Sequence, residues 1–206
     1  MPGFCAVHHS ARFLKVLYIY RLTNKIREWI CLKLNTQNLL DYNSNIFPLI
    51  TLLFKLFHES GAILNEFGMH NSEFLKFELD ESFHSLEQNM QFYSRLQHLT
   101  LDIILDFGIE NIAKFLRVLA KNTTKIGALR LVFHSGYESK LIHTLSPALI
   151  HFIKSQEQLR KFILNGNDDC PTEFYGIISA LESQKDTLQE VTLEDCVFSA
   201  EFSLRY

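Results

Sequence analysis

Two stretches near the end of the chain, Leu159-Arg-Lys-Phe162-Ile-Leu164-Asn-Gly-Asn167 and Leu188-Gln-Glu-Val191-Thr-Leu193-Glu-Asp-Cys196, decide the fold. Both have apolar residues at positions one, four and six, and an asparagine or a cysteine at position nine. We call these positions slots and number them from the first apolar residue. Alternation within a short apolar stretch predicts a strand, and two copies predict a repeated strand.

Three further copies lie upstream, each with apolar residues in slots one, four and six. They are Ile126-x-x-Leu129-x-Leu131, Leu96-x-x-Leu99-x-Leu101 and Leu64-x-x-Phe67-x-Met69. The five copies begin at 64, 96, 126, 159 and 188, so successive starts are 32, 30, 33 and 29 residues apart. This pattern at a near-constant interval is typical of leucine-rich repeats.

Each copy follows a segment with helical periodicity. The helical stripes are Ile46, Ile50, Leu53 and Phe57; Phe83, Leu86 and Met90; Ile112, Phe115, Leu116 and Leu119; Leu145, Leu149, Phe152 and Ile153; and Phe174, Ile177, Ile178 and Leu181. Pro171-Thr172 predicts the start of one helix, with Thr172 as its N-cap. Ser146-Pro147 predicts the first turn of another.

The predicted unit is therefore a helix, a short turn, a strand and a longer loop. Strands that recur in one sense with helices between them form a parallel sheet. We predict an α/β leucine-rich-repeat solenoid of about 31 residues per irregular repeat, with strands on the concave face and helices on the convex face. Residues 45–206 would form about five such units, and residues 1–44 a helical capping segment.

Two parts of the chain do not fit the repeat. Phe74-x-x-Phe77-x-Leu79 spells the strand pattern ten residues after the Leu64 copy, with no helix between them. It is either an inserted strand or an ordered loop. Residues 1–44 contain apolar runs without the repeat, and Trp29, Ile30 and Leu32 predict a helix that covers the N-terminal end of the solenoid.

Composition restricts the class of protein. The chain has 206 residues, a net charge of −3 and 47% hydrophobic residues, so we expect one sizeable core and no general nucleic-acid binding. The longest apolar stretch, 46–57, is too short to span a membrane. Four scattered cysteines without a C-x-x-C pair suit a reducing compartment, so we expect a cytoplasmic protein, with the nucleus as the alternative.

Motifs for catalysis or for a cofactor are missing from the sequence. It has no glycine-rich nucleotide loop, no H-E-x-x-H and no nucleophile elbow. His143 and His151 are two helical turns apart, about 12 Å, which is too far to share one metal ion. Cys196 stands in slot nine, where we expect a buried and inert cysteine rather than a reactive thiol. We expect that the protein is not an enzyme and that it binds neither a metal ion nor a cofactor.

The predicted concave face is the candidate binding site. Strand alternation turns slots three, five and seven away from the core. Its candidate protein-binding residues are His98, Thr100, Asp102, Arg130, Lys161, Ile163, Asn165, Glu190, Thr192 and Glu194. The alternatives are a solvated face without a partner and binding through the convex helices.

Residues 86–202 resemble the leucine-rich part of F-box-like repeat proteins that some fungi carry in large numbers. The resemblance is carried by Leu86-Glu-Gln-Asn-Met-Gln-Phe-Tyr-Ser-Arg-Leu-Gln-His-Leu-Thr-Leu101, by Leu119-Ala-Lys-Asn-Thr-Thr-Lys-Ile126 and by Ile177-Ile-Ser-Ala-Leu-Glu-Ser-Gln-Lys-Asp-Thr-Leu-Gln-Glu-Val191. The resemblance implies a substrate-recognition component of an SCF-type ubiquitin ligase, in which an F-box binds the Skp1 adaptor and the repeats select the substrate. The alternative is a degenerate or truncated family copy with a structural or interaction role and no link to a ligase.

The F-box itself departs from the family pattern. Phe47-Pro48 resembles the opening of the first F-box helix, but no acidic residue stands two places after the proline and no tryptophan follows. We therefore expect Skp1 binding only if an F-box lies upstream of Met1. We also expect the edge formed by Leu188, Val191 and Leu193 to promote self-association, unless residues 197–206 cover it.

Overall fold

The computed structural model describes residues 12–34, 43–70, 90–104, 109–134, 139–166 and 173–196. The strands are β1 Val16–Tyr18, β2 Glu66–His70, β3 His98–Ile104, β4 Ala128–His134, β5 Lys161–Asn165 and β6 Glu190–Glu194. The helices are α1 Ile19–Leu34, α2 Asn43–Glu59, α3 Ile109–Asn122, α4 Ser139–Lys154 and α5 Glu173–Ala180. Short 3₁₀ helices span Met90–Tyr93 and Leu181–Gln184.

The six strands form one open parallel sheet in the order β1-β2-β3-β4-β5-β6. Every neighbouring pair is parallel, and helical segments lie between successive strands along the chain. The prediction that the copies starting at 96, 126, 159 and 188 are parallel neighbours in chain order is confirmed. The class is therefore α/β, with β1 and β6 at the edges of the sheet.

The pairing register aligns equivalent slots of all strands. Slot four runs through Phe67, Leu99, Leu129, Phe162 and Val191, each opposite the next. In β1, Leu17 stands opposite Phe67, which aligns Leu14-x-x-Leu17-x-Ile19 with the Leu64 copy. The prediction that residues 1–44 lack the repeat is therefore wrong, because this segment contributes an edge strand with the same pattern.

A repeated backbone hydrogen bond links each strand to the next. The slot-two carbonyl of one copy accepts hydrogen bonds from the slot-two and slot-three amides of the following copy, at 2.8–3.1 Å. The accepting carbonyls belong to Lys15, Asn65, Gln97, Gly127 and Arg160. The same geometry at all five junctions shows that the six strand segments are equivalent, although the helical segments between them differ in length.

The core lies between the sheet and the helices. Slots one, four and six are buried in the four middle strands, as the alternation predicts. The helix stripes of α3, α4 and α5 are buried against them, with Phe67 in edge contact with Phe115, and Phe133 against Phe174. Between α2 and α3, Phe92 and Tyr93 of the 3₁₀ turn join this cluster.

Two buried glutamines close the turns between helix and strand. The Gln156 amide donates to the carbonyls of Thr123 and Phe152, and its side-chain oxygen accepts from the backbone of Ile126. Gln184, 28 residues later, donates to the carbonyls of Ile153 and Gln156. Backbone groups left over at the helix ends are thereby satisfied inside the core.

The N-terminal boundary of α4 differs from the prediction. Ser146-Pro147 was expected in the first turn, but the helix begins at Ser139 and Pro147 lies in its interior. Ile142 and Leu145 are fully buried, so the apolar stripe starts before the proline. Packing of that stripe outweighs the hydrogen bond that proline cannot donate. Pro147 itself is exposed, so its ring does not disturb the core.

The two ends of the sheet are less buried than its middle. In α1, Ile26 and Ile30 are buried, whereas Trp29 and Leu32, which were expected to cover the end, are exposed. At the other edge Val191 is 46% exposed, while Phe162 in the same slot of β5 is fully buried. The predictions for Phe74–Leu79, for Phe83 and Leu86, for Asn167, for Pro171-Thr172 and for residues 197–206 lie outside the described residues.

Candidate outward-face binding site

The outward face is the sheet surface formed by slots three, five and seven, opposite the helices. The register brings all ten predicted binding residues onto this face. Slot three carries Val16, Glu66, His98, Ala128, Lys161 and Glu190. Slot five carries Tyr18, Gly68, Thr100, Arg130, Ile163 and Thr192, and slot seven of β2 to β6 carries His70, Asp102, Val132, Asn165 and Glu194.

Polar side chains pair across neighbouring strands in the C-terminal half of the outward face. The Lys161 ammonium lies 2.7 Å from the Glu190 carboxylate on the next strand. The Asn165 amide donates to the Glu194 carboxylate at 3.0 Å. In the N-terminal half, Asp102 pairs with His134, which stands in slot nine of β4. These cross-strand pairs stabilise the sheet and leave fewer charges for a partner.

A pocket of about 560 Å³ opens on the N-terminal half of the outward face. It is lined by Tyr18, Tyr20, Gly68, Met69, Thr100, Asp102, Arg130 and Val132. Its volume falls within the range of about 300–1,000 Å³ that is common for binding pockets. Three of the predicted binding residues, Thr100, Asp102 and Arg130, therefore meet in one place, whereas the other seven do not line this pocket.

Tyr18 forms one wall of the pocket and is held from three sides. Its ring lies across Gly68, where a Cβ atom would overlap the ring atoms Cδ1 and Cε1. Its hydroxyl donates to the Glu66 carboxylate, and the Arg21 guanidinium stacks 4.9 Å from the ring centroid. Burial, followed by the neighbouring Glu66 carboxylate, raises the pKa of the Tyr18 phenol above its ordinary value. The phenol therefore remains protonated and donates at neutral pH.

Arg130 stands at the centre of the outward face and is exposed. Its register neighbours are Thr100 on one side and Ile163 on the other, both uncharged. Among the residues that the structure describes, no carboxylate forms an ion pair with Arg130. The guanidinium thus presents its fork of donors to solvent beside two tyrosines.

The residues predicted to bind do not include Tyr18, Tyr20 and Gly68, which line the pocket. They belong to the Leu14 copy and to the outward slots of the Leu64 copy. The Leu14 pattern was the signal that could have found them. It starts 50 residues before the next copy, and this interval contains both α1 and α2, so a search for a period near 31 residues misses it.

The slot-nine cysteine is less buried than predicted, and its thiol contacts backbone carbonyls at the strand end. The Cys196 thiol lies 3.9 Å from the Leu164 carbonyl oxygen and 3.2 Å from that of Glu194, and the residue is half-buried. Asp195 beside it has a positive φ of 51°, in the left-handed region that aspartate adopts more readily than most residues. Within the described ranges, no group of three or more histidine, cysteine or acidic residues could hold a metal ion.

Searches against protein-family models, curated proteins and solved structures find no match to this chain. Within the described part of the chain, no helix is long and apolar enough to cross a membrane.

Proposed function

We propose that the protein is a protein-binding leucine-rich-repeat module that uses its outward face, curved as the concave side of a solenoid. Equivalent backbone junctions between six strand segments support stacking of one repeated unit. The helices cover the opposite side of the sheet, so the outward face is the side on which strand residues are open to a partner.

The pocket at Tyr18, Tyr20 and Arg130 carries the proposal. Tyrosine and arginine are enriched among residues that contribute most to protein–protein binding, because they bury large area and offer specific polar groups. Tyr20 is 56% exposed, which is high for a large aromatic side chain. Thr100, Val132 and Ile163 around Arg130 supply the weakly polar surroundings that such a contact needs.

Affinity purification from the native cells tests this proposal with two matched double variants of the full chain. Tyr20→Ala with Ile163→Glu alters the outward face, and Leu52→Ala with Lys114→Glu alters exposed positions of α2 and α3. We expect the outward variant to lose the proteins that the wild-type chain retains, and the helix variant to keep them. Loss only with the helix variant would move the binding surface to the helices.

A link to a ubiquitin ligase is proposed from the resemblance alone. Ile50 and Phe54, which follow Phe47-Pro48, are buried in the core of this chain, so they are not free to contact an adaptor. We therefore predict that the 206-residue chain does not retain purified Skp1 in a pull-down, whereas a chimera with a known F-box fused before Met1 does. Retention of Skp1 by the unfused chain would contradict this and would assign adaptor binding to residues 1–60.

The second candidate function is a degenerate or truncated family copy that acts as a structural or interaction protein without a ligase. Two side-chain pairs on the outward face favour this second function, namely Lys161 with Glu190 and Asn165 with Glu194. These polar groups already have partners within the chain and do not need a bound protein. The same purification separates the two. Failure of the wild-type chain to retain any protein above the level of the outward variant would favour this second function.

A further inference from the structure

The charges around the pocket indicate which kind of ligand group it would bind. This inference rests on the proposed function, in which the outward face binds another protein. Both carboxylates near the tyrosines have partners, since Glu66 accepts from Tyr18 and Asp102 pairs with His134. Arg130 has no acidic partner among the described residues, although it lines the same pocket. Arg130 is therefore the charged group of this pocket that has no oppositely charged partner among the described residues.

We propose that the outward-face pocket binds a protein segment in which an aspartate or glutamate carboxylate pairs with Arg130 while an adjacent apolar side chain lies against Tyr18 and Tyr20. A guanidinium matches a carboxylate through two parallel hydrogen bonds. Thr100 is in register with Arg130, and its side chain hydrogen-bonds the Tyr18 phenol. Val132 adds apolar surface on the same side of the pocket.

A single positive group favours a carboxylate over a phosphate. A phosphoryl group carries close to two negative charges at neutral pH, and proteins that recognise it usually gather several arginines around it. The other cation of the outward slots, Lys161, already pairs with Glu190, and Arg21 stacks on Tyr18. Among the described residues that line the pocket, Arg130 is the only arginine or lysine, and its single charge balances one carboxylate.

The test is a selection of displayed random 12-residue peptides on the full 206-residue chain and on two charge-reversed variants. Arg130→Glu reverses the pocket cation, and Arg117→Glu makes the same change on the exposed side of α3. We expect the wild-type chain and Arg117→Glu to enrich peptides with an acidic residue next to an apolar one. We expect Arg130→Glu to enrich basic residues instead, and to bind the wild-type peptides at least about tenfold more weakly.

Substitution of the acidic residue in a recovered peptide by its amide gives the reciprocal measurement. The amide peptide should bind the wild-type chain about tenfold more weakly, with no further loss on Arg130→Glu. Recovered peptides without acidic enrichment, or peptides indifferent to Arg130→Glu, overturn the inference. If such peptides still lose binding on Tyr20→Ala, the proposed function stands. If no recovered peptide depends on either residue, or none is recovered, the proposed function fails as well.

Discussion

Gly68 is the position where a single side chain decides the shape of the pocket. Its backbone does not need a positive φ, so the requirement for glycine comes from the Tyr18 ring that lies across it. Without a Cβ, the sheet surface lets the ring lie flat and lets its hydroxyl reach Glu66. Tyr18 in turn covers backbone that would otherwise face solvent.

We predict that Gly68→Ala lowers the free energy of unfolding by about 1–3 kcal/mol, because the new methyl group displaces Tyr18 from its hydrogen bond. In a Tyr18→Ala background the same substitution should cost less than about 0.5 kcal/mol. Urea denaturation of the four proteins gives the coupling energy. Additive effects would mean that the ring does not occupy the space above residue 68.

His58 is a titratable group in the cluster between α2 and the 3₁₀ turn. Its ring lies edge-on to Phe92 with centroids 5.0 Å apart, and neither ring nitrogen has a hydrogen-bond partner among the described residues. Burial lowers the pKa of His58 below its ordinary value of 6.5. The unfolded chain therefore binds the proton at higher pH than the folded chain does.

Because the pKa of His58 is lower in the folded chain than in the unfolded chain, the folded state is favoured when His58 is neutral. Its contribution is complete above about pH 6.5 and is lost as the pH falls toward the lowered folded pKa, with a slope of at most about 1.4 kcal/mol per pH unit. His58→Phe keeps a ring against Phe92 and should flatten the pH dependence of unfolding between pH 7 and 5. Leu52→Ala, a non-titrating change at an exposed position of α2, should leave that slope unchanged. An unchanged slope in His58→Phe would contradict the assignment.

At the scale of the elements, equivalent positions differ in burial according to their place in the sheet. Leu164 of β5 and Leu193 of β6 occupy slot six and stand opposite each other. Leu164 is fully buried, whereas Leu193 is half-buried. Strands in the middle of the sheet have neighbours on both sides, and an edge strand has a neighbour on one side only.

We therefore predict that Leu164→Ala lowers the free energy of unfolding by about 2–5 kcal/mol, and Leu193→Ala by less than half as much. The two substitutions remove the same atoms from equivalent slots, so the difference reports burial alone. Guanidinium denaturation monitored by circular dichroism measures both. Equal losses would show that β6 is packed as tightly as the middle of the sheet.

The strands were predictable from sequence because each carries three apolar residues at fixed spacing. Leu64, Leu96, Ile126, Leu159 and Leu188 mark five of the six segments with parallel order and outward slots as predicted. Helix starts were less predictable, since Pro147 lies inside α4 where propensity favours a first turn. The preference of proline for the first turn of a helix was outweighed there by the burial of Ile142 and Leu145.

The pocket was predictable only in part. Thr100, Asp102 and Arg130 follow from the alternation within β3 and β4. Tyr18 and Tyr20 reach the same place through a strand pairing between copies that start 50 residues apart, an interval that a search for a period near 31 residues misses. The position of the Tyr18 ring also requires that residue 68 has no side chain. The sequence alone does not show this requirement, because it arises only once β1 and β2 are paired.

The whole molecule has two distinct surfaces, the outward face of the sheet and the layer of helices. The proposed function requires that partners meet the first and not the second. Ile163 lies in the centre of the outward face beside Arg130, and Val118 lies on α3 in the helix layer. Both are half-buried β-branched residues, so they form a matched pair for comparing the two surfaces.

Photo-crosslinking from these two positions is the most direct measurement of the central claim. The photoreactive amino acid p-benzoylphenylalanine is placed at Ile163 in one full-length protein and at Val118 in another, both expressed in the native cells. The proposed function predicts crosslinked protein partners from position 163 and none above background from position 118. Crosslinks from position 118 without any from position 163 would contradict it and would assign binding to the helices.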